Sequence, residues 1–221
     1  MTNIQSKKLH SITLSSGNIK DLASECELLK IRGSVSLLQE VHLKEIYSHG
    51  YSSFHSHVEA DVLKNSGSCV IKGNCAVKEI VNAGNLKINN GQTTKVISSG
   101  KLTINQLLQA EQFESIGIVQ AKEMHTKHFH LKLSGKSKIE RLITDEAYVE
   151  KDWKSFSLSK KKLICQYIKG NNLHLINTDA EIVEADVAVI GKNCTIQTLY
   201  YKENYSISPG AKVQHILRNE Q

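Results

Sequence analysis

A glycine returns every sixteen to eighteen residues through most of this chain, and apolar residues return with it. The series runs Gly17, Gly33, Gly50, Gly67, Gly84, Gly100, Gly117, Gly135, Gly170, Gly191 and Gly210. The first seven spacings are 16, 17, 17, 17, 16, 17 and 18, and the step of 35 from Gly135 to Gly170 equals two periods. Asp152 stands where the missing glycine belongs, and aspartate is among the few other residues that tolerate a left-handed backbone. Leu29, Ile46, Leu63, Ile80, Val96 and Phe113 each stand four positions before a glycine. Pairs such as Cys69/Ile71, Leu86/Ile88 and Leu102/Ile104 follow two and four positions after one, and Val58/Ala60 and Cys75/Val77 eight and ten after. Alternation of period two is strand spacing, not helix spacing.

Three short strands per period of about 17 residues, repeated about twelve times, describe a parallel β-helix, an all-β solenoid with three sheets around a narrow core. Crossovers between parallel strands are right-handed in nearly all proteins, so a right-handed coil is expected. The series glycines are expected at one corner with φ > 0, and Gly73 and Gly91 at a second. The single proline suits long backbone ladders, to which proline cannot donate. The expected division is a short segment 1–8, one β-helix domain over 9–217 with irregular coils around 136–169, and a tail 218–221. The irregular part holds the only tryptophan, Trp153, and the basic run Lys160, Lys161 and Lys162.

Composition narrows the function. No run of about 18 apolar residues is present, so no membrane span is expected. The first residues show no apolar signal core, and the five cysteines show no CxxC spacing, so a reducing cytoplasm is the expected setting. The net charge of +6 is spread along the chain and aromatics make up only 5%, which argues against a dedicated nucleic-acid groove. A mildly basic surface favours at most weak association with anionic surfaces, a membrane among them.

The candidates for chemistry are few. His55 and His57, and His128 and His130, share faces on strands. His125 falls in a core-facing phase and reads as a buried neutral imidazole. Cys69, Cys75 and Cys194 occupy slots that other coils fill with aliphatic residues, and read as small buried hydrophobes. Asp61, Asp145, Asp179 and Asp186 are scattered in phase and do not form the carboxylate cluster a polysaccharide-cleaving β-helix needs. No P-loop and no GxSxG is present. No catalytic, metal or cofactor residues are assigned, and no enzyme activity is expected.

The signature of apolar pair, glycine and apolar-x-apolar is clearest in ADVLKNSGSCVIKGNCAVKEIVNAGNLKINNG at 60–91. Together with the ending DVAVIGKNCTIQTLYYKENYSISPGAKVQHI at 186–216, it resembles the bactofilins, most closely their Bacillus-type branch. That resemblance implies a bacterial cytoskeletal protein that forms nucleotide-independent filaments, alone or with a paralogue, by stacking end coils, with roles in morphogenesis or motility. The proline-rich tails that flank the typical bactofilin core do not occur in this sequence. The residues themselves point the same way, because a β-helix ends in open strand edges that template further pairing unless capped. The expected junction residues are Ile12 and Leu14 at one end and Val213, Ile216 and Leu217 at the other. The alternatives are a non-polymerising adaptor that binds a protein along one sheet face and, third, a polysaccharide-acting enzyme.

Overall fold

The computed structural model describes residues 10–23, 25–153 and 160–219. The expected segment 1–8 and the end of the expected tail lie outside the described residues. Within them the chain has no helix. It forms thirteen strands: β1 (Ser11–Ile19), β2 (Leu28–Leu37), β3 (Val41–Ser48), β4 (Tyr51–Phe54), β5 (Val58–Asn65), β6 (Ser68–Asn82), β7 (Asn85–Ser98), β8 (Lys101–Leu133), β9 (Lys136–Lys151), β10 (Lys162–Leu175), β11 (Thr178–Ile190), β12 (Thr195–Ile207) and β13 (Lys212–Arg218). All pair in parallel, twelve of them along one continuous order from β1 to β13, with β4 off that path between β2 and β6. This is a β-solenoid of about 12 turns.

Register shows how one period becomes one coil. β6 pairs with β7 in three runs, Ser68–Ile71 on Asn85–Ile88, Asn74–Ala76 on Asn90–Gln92, and Glu79–Asn82 on Lys95–Ser98. These runs define a first, second and third side. Alternation then sends every other residue inward. On the third side Leu29, Ile46, Leu63, Ile80, Val96 and Phe113 lie in direct register and are fully buried, as the sequence spacing requires. The column continues through Phe129, whose ring stacks on Phe113 at 5.1 Å and 4°. Each coil covers the apolar face of the one before, so most of the burial is gained between neighbours.

The glycines do a different job from the one expected. Gly33, Gly50, Gly67, Gly84, Gly100 and Gly117 do not take positive φ. They stack on one another so closely that a Cβ on Gly50, Gly67, Gly84, Gly100 or Gly117 would lie 2.0–2.1 Å from the carbonyl oxygen of the glycine one coil earlier. Only a hydrogen fits there. Positive φ occurs instead at Gly17 and, near the other end, at Asn177, Asn193 and Gly210. Two other glycines depart from expectation: Gly170, of the series, lies within β10 opposite Ala185, and Gly91, expected at a second corner, fills an inward slot between Cys75 and Leu108. Gly135 remains at the corner, where its carbonyl accepts from the Lys162 amide, and Gly191 follows β11 with its amide donating to the Leu175 carbonyl. Gly73 does mark a bend, at the register shift between Ile71 and Asn74.

Asp152 does not replace a glycine. Leu133 pairs with Lys151 and Lys136 with Lys162, so the chain inserts extra residues at this corner. The base of the insertion is closed by the Lys161 Nζ, which donates to the Asp152 carbonyl at 2.6 Å. The expected irregularity around 136–169 therefore narrows to this corner, because β9 and β10 are regularly paired.

A polar column runs inside the apolar one. Ser48, Asn65, Asn82, Ser98 and Ser115 are in register and buried. The Asn65 Nδ2 donates to the Asn82 Oδ1 at 2.8 Å, and the Asn82 Nδ2 donates to the Ser98 Oγ at 3.0 Å and to the Lys101 carbonyl at 3.2 Å. Those bonds offset the desolvation of the amides and lock one coil's register to the next.

Candidate functional site

Among the described residues, the terminal coils leave apolar side chains of the inward phase only partly covered. Among the described residues β1 pairs only with β2, and β13 only with β12. Ile12 and Leu14 lie over Leu29 and Ile31, which are fully buried, yet are themselves only half-buried. At the other end Val213 and Ile216 lie over Ile196 and Leu199. Ile196 and Leu199 are 0% exposed, whereas Ile216 is 38% exposed. The columns are the same, and no described coil lies beyond these residues. Leu217 does not belong with them: it pairs with Tyr200 on the outward phase of the strand.

The outer faces differ in how their charges are spent. Charged side chains tie successive coils on the second side, His42 with Glu59 at 3.0 Å and Arg141 with Glu123 at 3.4 Å, and at the corner between the second and third sides, Lys44 with Glu27, Lys78 with Asp61 at 2.6 Å and Lys127 with Glu111 at 3.0 Å. On the third side the outward column reads Tyr47, Lys64, Val81, Ile97 and Glu114, then His130, Tyr148, His174 and Val189. Its later half forms a groove of about 620 Å³. There the Tyr148 ring lies between those of His130 at 5.3 Å and His174 at 4.6 Å, and His128 Nδ1 meets the Glu146 carboxylate at 3.1 Å. Sequence reasoning singled out His128 and His130 but not Tyr148 or His174, because the extra residues at the insertion hide their common phase.

The remaining candidates are dispersed. His55 lies 3.3 Å from the Lys72 Nζ, the neighbour its phase requires, and His57 packs near His42. His125 is not buried: Met124 takes the inward slot opposite Leu142, and His125 turns outward to the Glu123 carboxylate at 2.7 Å. Among the described residues no group of three or more His, Cys, Asp or Glu side chains is arranged to hold a metal ion. Asp61 and Asp179 are taken up by Lys78 and Lys162 on different sides. All five cysteines are free and buried. Burial pushes the Cys69, Cys75 and Cys165 thiols up to about 12, and Cys26 and Cys194 in the same direction, which suppresses the nucleophilic thiolate. Trp153 is 82% exposed at the insertion, with the Lys151 ammonium 4.6 Å from its ring.

No helix among the described residues is long and apolar enough to cross a membrane. No family model matches the chain, and no solved structure matches it. Over 59 residues the chain is 34% identical to the uncharacterized protein YhbF of Bacillus subtilis (strain 168), a similarity that covers 27% of this chain and 25% of that protein.

Proposed function

We propose that this chain is a non-catalytic structural protein of the bactofilin kind, whose copies join end to end through their terminal coils into nucleotide-independent filaments. The observation that carries the reading is the state of the ends. Residues that are fully buried in every inner coil are half-buried or exposed in the first and last, and the outer edges of β1 and β13 pair with no described strand. Stacking a second copy on either end covers those side chains and extends the ladder, so apolar burial and backbone pairing act together. Ile12 and Leu14 form one half of the junction, Val213 and Ile216 the other.

The test is substitution at the ends. Leu14→Arg and Val213→Arg each place an unpaired charge in the junction. Each is expected to shorten polymers seen by electron microscopy while leaving the melting of the single molecule nearly unchanged, because only a terminal coil is disturbed. Filaments of normal length from both variants would remove this junction.

The groove between Gln112 and Val189 favours a second reading, an adaptor that binds a protein partner along the third side. Its volume lies in the range of binding sites, and it joins aromatic and polar side chains. On this reading the chain does not polymerise, and Tyr148→Ala would abolish partner binding while leaving the single molecule folded.

A further inference from the structure

We infer that the early half of the third side is a lateral contact for a second copy of this chain, laid face to face with its solenoid axis antiparallel. Two outward columns make up this patch. One runs Lys64, Val81, Ile97, Glu114, and the other Val62, Glu79, Lys95, Gln112, each in direct register from coil to coil. A two-fold axis passing between the coils of Ile80 and Val96, along the strand direction, sets each column against its own copy reversed. Val81 then meets Ile97 of the second copy, twice over, as an apolar centre. Glu79 meets Lys95 of the second copy, and Lys64 meets its Glu114, again twice each. Four ion pairs ring four aliphatic side chains.

The charges involved are unspent in the single chain. Glu79 and Lys95 are register neighbours, yet neither makes an ion pair or side-chain hydrogen bond among the described residues, and neither does Glu114. Lys64 has only the Tyr47 ring, 5.1 Å away. The second side and the corner between it and the third, by contrast, pair outward charges within the chain.

The pattern also selects one register. Moving the second copy by one coil along the axis puts Glu79 on Glu79 or Lys95 on Lys95. A parallel arrangement exchanges the columns and sets Val81 on Glu79 and Ile97 on Lys95. Both leave charges opposed or desolvated without a partner.

Four coils of four-residue strands offer about 250 Å² per copy, from a spacing of about 4.8 Å between strands and a rise of about 3.3 Å per residue. That is roughly a third of the ~800 Å² that each partner buries in a stable pair. A single contact is therefore weak, and its strength rests on the end-to-end growth proposed above, which repeats the contact along a filament.

Charge reversal tests this directly. Lys64→Glu and Glu114→Lys lie on the outside, three coils apart, and do not touch within one chain. Electron microscopy of the full chain at low salt is expected to show laterally paired filaments for the wild type and single filaments for each variant. Pairing should return in the double variant, where every cross-contact is again opposite in sign, and high salt should abolish pairing throughout. Paired filaments from either single variant, or no recovery in the double, would overturn the contact. If the wild type forms no filaments, end-to-end growth fails separately. Sedimentation at the highest attainable concentration then decides: a dimer lost in each single variant and regained in the double upholds the lateral contact, and its absence from the wild type overturns it.

Discussion

At Gly84 an added Cβ would lie 2.0 Å from the Gly67 carbonyl oxygen, which is backbone and cannot swing away. At Gly91 the nearest atom is the end of the Leu108 side chain at 2.8 Å, which can turn. Gly84→Ala is therefore expected to destabilise the fold by about 3 kcal/mol or more, and Gly91→Ala by about 1 kcal/mol, read from thermal or denaturant unfolding. Equal effects would remove the close-approach account of the glycine column. The sequence made the column visible but not its cause, because positive φ and close approach both select glycine. The buried thiols give a second residue-level expectation. Their protonation in the folded state lies near 12, against an ordinary value of 9.0, for Cys69, Cys75 and Cys165. A raised pKa means that the stabilising contribution is complete below about 9 and is lost as pH rises towards 12. Each such thiol should lower stability by up to about 1.4 kcal/mol per pH unit across that window. Melting temperatures measured from pH 8 to 11 should fall, and the fall should be smaller in Cys69→Ala.

At the scale of the coil, the inward column on the third side carries the fold. Ile80 is 0% exposed between Leu63 and Val96. Ile80→Asp buries a charge with no partner and is expected to cost about 3–5 kcal/mol in an unfolding titration. An unchanged midpoint would mean that the inward phase is misassigned. This phase was legible because each coil repeats the same demand at the same offset from the glycine. The polar column beside it was equally present in the sequence, as Ser48, Asn65, Asn82, Ser98 and Ser115, each two residues before a glycine. Apolar periodicity alone passes over it, since a polar residue in an inward slot reads as outward. The corner after Lys151 was not legible for a related reason. A fixed period places a glycine substitute at Asp152, whereas the chain inserts residues there and resumes register at Lys162. His125 was misread in phase because the step from one inward residue to the next changes between Ala121 and Met124.

For the whole molecule, open ends are expected from the absence of any change in sequence pattern near Leu14 and Val213, and among the described residues β1 and β13 each pair on one side only. Ile12, Leu14 and Val213 are half-buried and Ile216 exposed on the inward phase, while Leu217 falls on the outer face because strands alternate. The groove and the lateral patch were not forecast. Both depend on which outward residues of distant periods share a column, and that requires the register. A solenoid of about 12 turns whose terminal described strands pair on one side only is a unit suited to growth along its own axis, and the proposed lateral contact would let such units meet sideways on the third side.

The most direct measurement is negative-stain electron microscopy of the purified full chain without nucleotide, with sedimentation of the same sample across protein and salt concentrations. The account predicts filaments that form without nucleotide, are unchanged by its addition, and grow shorter with Leu14→Arg or Val213→Arg. A wild-type chain that stays a single folded molecule at every concentration and salt would contradict it.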